Sequence, residues 1–217
     1  MMDLSLSQKY ALCVLNEKGK IPAFQLEGSA CLLAAALLEM QMDGIIRIEN
    51  KKIRICGELS GEKEAFRPLY DYLDAPKPRS IDKVTGEFLV TFTNKKINAL
   101  LDSVCAPMAE EGLVTLEPGF LGSQTHYVPD TRSVGLVIDG LRAELLEEGE
   151  ISEDAAMLAV LLERSSLLKT YFSKFEQSQI KARLKELEDG PAGQVIREVT
   201  ACIDAMIATI AVVLVAH

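Results

Sequence analysis

The sequence predicts a mainly α fold: a single domain over residues 1–217, built as a helix bundle around one buried helix and carrying two small β-hairpins. Three observations predict it. The run Gly28–Leu38, GSACLLAAALL, contains no charge, and a helix that is apolar on every side is a buried one. A unit of helix end, acidic residue, glycine and alternating strand occurs twice, as MQMDGIIRIE at 40–49 and MAEEGLVTLE at 108–117. Most of the remaining chain spaces its apolar residues at helical intervals.

Taken in order, Ser5 and Gln8 fit a capping box ahead of a helix that carries Leu6, Tyr10, Leu12, Cys13 and Leu15 and stops at Gly19. Residues 21–24, with Pro22, lead into the central helix. There Ala34, Ala35 and Ala36 have no bulk and let neighbours approach closely. Asp43-Gly44 ends it, with Gly44 where a left-handed residue is wanted. Ile45–Ile55 reads as a hairpin turning at Asn50-Lys51. Glu62–Leu73 suits a helix that Pro68 either bends or truly starts. APKPR at 75–79 reads as an extended linker, and Ser80 caps a helix running to about Phe92. Asn94–Glu111 is helical, with Pro107 expected to kink it. Leu113–Leu116 and Thr125–Val128 form a second hairpin with Phe120 and Leu121 on its tip. Helices follow at Thr131–Glu148, Glu153–Arg164 behind Ser152, Leu167–Phe172, Glu176–Glu188 and Ala192–Ala216.

The net charge is −9, which counts against nucleic acid as a partner. Local charge runs the other way in two places. Residues 45–55 sum to +3 (Arg47, Lys51, Lys52 and Arg54 against Glu49), and residues 75–100 also sum to +3. Residues 140–164 sum to −5. Such asymmetry, gathered on faces, suits one side to an anionic surface. The opening MMDLSLSQKY has no secretory pattern, and five scattered cysteines without a CxxC pair read as reduced thiols. The uncharged run 205–216 is shorter than the ~18–20 residues of a bilayer span. A cytoplasmic chain, peripheral on the membrane, is the expectation.

Catalytic signals are poor. Of the two histidines, His126 is expected on the hairpin surface and His217 ends the sequence. There is no GxSxG, P-loop or HExxH motif, and the acidic run 147–154 lacks the spacing of a calcium loop. No catalytic residue, metal site or cofactor is expected, and the chain reads as a non-enzyme.

LSLSQKYALCVLNEKGKI, LLAAALLEMQMDGIIRIENKKI, SGEKEAFRPLYDYL, KPRSIDKV, MAEEGLV, GLRAELLE, MLAVLLERSSLLKTYFS and IKARLKEL follow one another over nearly the whole chain. This ordered set resembles the Golgi phosphoprotein 3 family, peripheral membrane proteins that bind phosphatidylinositol 4-phosphate. The resemblance implies a headgroup pocket made by one tryptophan and three arginines, and a hairpin that dips into the bilayer or joins copies into a homo-oligomer. Here the tryptophan position falls on Phe24 and the arginine positions on Leu33, Asn98 and Leu101, with Lys95 one helical turn from Asn98. The hairpin corresponds to 113–128, with Phe120 and Leu121 as the inserting wedge. The implied function is a phosphoinositide- or anionic-lipid-binding, adaptor-type protein with a degenerate pocket, since arginine forks are the usual answer to phosphate. Two other readings stand beside it. One is a winged-helix DNA-binding regulator using Arg47, Lys51, Lys52 and Arg54, and the other is a protein adaptor or oligomer with no lipid role.

Overall fold

The computed structural model describes residues 4–22, 26–91, 93–119, 125–147, 149–190 and 193–215. The described chain is mainly α. It runs α1 (Leu6–Val14), α2 (Leu26–Met42), β1 (Ile46–Glu49), β2 (Lys52–Ile55), a 3₁₀ segment (Gly61–Phe66), α3 (Arg67–Leu73), β3 (Arg79–Ser80), α4 (Ile81–Leu89), α5 (Lys95–Glu110), β4 (Val114–Glu117), β5 (His126–Pro129), α6 (Thr131–Leu146), α7 (Glu153–Arg164), α8 (Leu168–Tyr171), α9 (Lys174–Glu188) and α10 (Gly193–Val215).

Helix α2 is the axis. Every residue from Ala30 to Leu37 is fully buried, and α1, α4, α5, α7 and α10 all pack on it. The small side chains at 34–36 allow this crowding, because each neighbour can come close without meeting a bulky residue. The buried apolar residues form one cluster running from Leu4 to Ile210.

The repeated glycine unit closes both helices in one way. Gly44 and Gly112 sit at φ +69° and +72°. Gly44 N–H bonds to Gln41 O, and Ile45 N–H reaches back to Met40 O at 2.9 Å. Gly112 N–H bonds to Ala109 O, and Leu113 N–H to Met108 O at 2.9 Å. This is the Schellman closure, with the buried pairs Ile45–Met40 and Leu113–Met108 as its apolar contact. It turns each chain straight into a hairpin. In the first, Asn50 and Lys51 both take positive φ, the backbone of a tight type I′ turn.

Several boundaries differ from the sequence reading. Arg79 and Ser80 are not only linker: they pair with Ile53 and Lys52 and add a third strand, β3. Two residues are too few to show alternation. Pro68 marks a start, because the 3₁₀ segment ends at Phe66 and Pro68 lies in the first turn of α3. Helix α4 stops at Leu89, short of Phe92. Helix α9 begins at Lys174, where Ser173 and Glu176 complete a capping box.

Glu39 is a buried carboxylate. Glu39 accepts from Ser7 N–H at 3.1 Å and from Lys63 Nζ at 2.9 Å, while Lys63 also pairs with Asp43 at 2.8 Å. A single carboxylate thus ties α1 and the 3₁₀ segment to α2. Glu39→Ala is expected to cost about 1–3 kcal/mol. That is less than the ~3–5 kcal/mol of a broken buried pair, because Lys63 keeps Asp43. Urea denaturation measures it, and a cost under about 0.5 kcal/mol, ordinary for a surface change, would mean the tie is idle.

Candidate functional site

The loop after α1, the starts of α2 and α5, the end of α4 and strand β5 converge on a cavity of about 210 Å³. The loop contributes Gly19, Lys20, Ile21 and Pro22, and α2 contributes Leu26 and Ser29. Helix α5 enters with Asn94, Asn98 and Leu101 one turn apart along one face, and β5 adds His126.

Local sequence explains the arrangement. Asn16 holds the loop by accepting from Lys18 N–H and Lys20 N–H through its side chain, and from Gly19 N–H through its carbonyl. Tyr127 N–H then bonds to Gly19 O at 3.4 Å, which joins the hairpin base to the cavity wall. Asn94 caps α5 from a left-handed backbone and makes no side-chain cap bond. The first-turn N–H groups of α5 therefore receive no bond from the Asn94 side chain, and the positive end of the helix dipole lies at the cavity that Asn94 lines.

The electrostatics are mildly cationic. Lys20 is in no ion pair among the described residues. Behind Leu101, Asp102 is half-buried beside His126 and Tyr127, and its Oδ1 is buried without a hydrogen-bond partner among the described residues. Burial pushes this carboxyl above its ordinary range, with Tyr127 and His126 opposing the shift.

The residues named from the sequence distribute unevenly. Asn98 and Leu101 line the cavity. Leu33 is fully buried in the middle of α2, and Ser29, one turn earlier, faces the cavity instead. Lys95 is exposed and does not line it. Phe24, Phe120 and Leu121 lie outside the described residues. His126 is half-buried in the wall rather than out on the hairpin surface. Sequence reasoning missed Lys20, Ser29 and Asn94 as lining residues.

A larger, open groove of about 820 Å³ runs between α1, α6 and α8. Two cations border it: Arg142 is already held by Asp139 at 2.6 Å and Glu176 at 2.8 Å, while Lys18 shares the lining with the carboxylates of Glu17 and Asp139. Among the described residues no group of histidine, cysteine and carboxylate side chains is arranged to hold a metal ion.

Fold and cavity together define a class: a helical bundle around a buried axis, with a small polar pocket backed by the base of a hairpin. No helix among the described residues is long and apolar enough to cross a membrane. The chain belongs to the Golgi phosphoprotein 3 (GPP34) family, whose family model matches residues 6–205. No curated protein matches it.

Proposed function

We propose that this chain is a peripheral membrane protein whose cavity receives the headgroup of an anionic phospholipid while the β4–β5 hairpin enters the lipid. The observation that carries the reading is the continuity of the two parts. Asn98 and Leu101, at arginine positions of the family resemblance, line a cavity whose wall includes His126 at the base of the hairpin. Leu116, on β4 of that hairpin, is 53 % exposed, and Phe120 and Leu121 follow it in the sequence. Covering such residues contributes about 1.5–3 kcal/mol each at full burial. That is weak alone and useful beside electrostatic attraction.

With Lys20, Ser29 and amide groups in place of arginine forks, recognition is broad rather than selective for phosphatidylinositol 4-phosphate. Flotation on neutral, anionic and phosphoinositide vesicles tests this. Wild type is expected to bind anionic vesicles modestly, to release with rising salt, and to gain little from the phosphoinositide. Phe120→Ser/Leu121→Ser should abolish binding, and Lys20→Ala should weaken it. Tight phosphoinositide-selective binding lost in Phe24→Ala would restore a full headgroup pocket. Failure to bind any vesicle would sink the membrane reading and leave the hairpin as a contact between copies or with a protein client.

A further inference from the structure

The strands β1, β2 and β3 form a sheet whose two faces differ sharply. Ile46, Ile48, Ile53 and Ile55 turn toward the core. By the two-residue period, Arg47, Glu49, Lys52 and Arg54 share the outer face. The register sets Arg47 directly opposite Arg54 and Glu49 opposite Lys52. Like charges placed directly opposite destabilise a strand pair, so the sheet holds this arrangement at a cost. The chain does little to neutralise it. Glu49 approaches Arg47 only to 3.8 Å, and both side chains are largely in solvent. Arg54, Lys51 and Lys52 are in no ion pair among the described residues. The face is also concave: Arg47, Asn50, Lys52, Arg54, Cys56 and Pro78 surround a hollow of about 320 Å³ that Glu49 also borders. Its floor is stiff, because β3 pairs with β2 and Ile81 N–H closes on Lys51 O at 2.9 Å.

We propose that this hollow is a second binding site, separate from the cavity at Lys20 and Asn98, for a phosphate monoester. Two arginines in register on adjacent strands and bordering one hollow can offer two forks to one tetrahedral dianion, and Lys52 adds a point charge on the same lining. Bound phosphate would neutralise the opposed arginines and remove the repulsion. The hollow has room for the phosphate together with part of the group that carries it.

The full chain is titrated with inositol 1,4-bisphosphate by calorimetry, and then floated on phosphatidylcholine vesicles with and without phosphatidylinositol 4-phosphate. Saturable binding of the soluble probe is expected, weakened about tenfold or more in Arg54→Gln and in Arg47→Gln, less in Lys20→Ala, and unchanged in Lys185→Gln, which removes an exposed charge on α9. Either arginine variant relieves repulsion and should keep the fold. Cys56 gives an independent readout, since it borders the hollow and is exposed whereas the other four cysteines are buried. Its alkylation by iodoacetamide should slow when the probe is bound. Vesicle binding that falls in Arg54→Gln assigns a lipid-borne phosphate, and a probe effect without a vesicle effect assigns a soluble one. The proposal is overturned if no saturable binding occurs, if Arg54→Gln binds as wild type does, or if binding is lost only in Lys20→Ala. It is also overturned if duplex DNA at equal salt engages the same arginines more tightly than the probe.

Discussion

Leu37→Ala is expected to lower the stability of the fold by about 2–5 kcal/mol, the range for truncating a fully buried leucine. Leu37 has no exposed surface and sits on the one helix that α1, α4, α5, α7 and α10 all touch. The upper part of that range applies where surroundings cannot collapse into the space left behind. Helices packed around α2 on several sides hold one another apart, so none can move inward without losing a second contact. Chemical denaturation of wild type and variant measures the difference. Leu37→Met, which nearly conserves volume, should cost less than about 1.5 kcal/mol and separates cavity formation from a general intolerance of change. A cost below about 1 kcal/mol for Leu37→Ala would place α2 at the periphery and contradict its role as the axis.

What the sequence made legible depended on whether the cause was local. Asp43-Gly44 and Glu111-Gly112 announce their helix ends because a Schellman closure needs only a few consecutive residues, one of them free to take positive φ. Ser5 and Gln8 likewise act across a single turn. Strand β3 was illegible because Arg79 becomes a strand residue only by lying beside Ile53. Glu39 looked like the first charge after an apolar run, and its burial is decided by Ser7 and Lys63, far away in sequence. The cavity divides in the same way. Asn98 and Leu101 could be named through the family resemblance, with their spacing along α5 intact. Lys20, Ser29 and His126 come from a loop, a helix and a strand, and only tertiary packing brings them together. The opposed arginines of the outer sheet lie between these cases, since a hairpin turning at Asn50-Lys51 already fixes Arg47 against Arg54.

Gly19→Ala should be about as damaging, at roughly 2–5 kcal/mol, and it should impair the cavity as well as the fold. Two costs combine. Gly19 holds φ +64°, a left-handed backbone that costs a side-chain-bearing residue about 1–2 kcal/mol. An added Cβ would also lie 2.6 Å from Tyr127 N and 2.9 Å from Val128 N. Those are main-chain atoms of β5, so no rotamer change relieves the contact, and overpacking of this kind costs about 1–3 kcal/mol. Gly44→Ala is the control: its φ is +69°, yet nothing lies within 4 Å of its would-be Cβ. It carries the backbone cost alone. The excess of Gly19→Ala over Gly44→Ala in denaturant titrations therefore reports the contact with the hairpin. Relief of that contact requires β5 to move away from the loop, breaking the Tyr127–Gly19 backbone bond and carrying His126 with it. Anionic vesicle binding should then fall in Gly19→Ala at a temperature where both variants remain folded, while Gly44→Ala binds as wild type does. Equal costs for the two substitutions would show that the loop yields freely and that the hairpin base is not braced against the cavity wall.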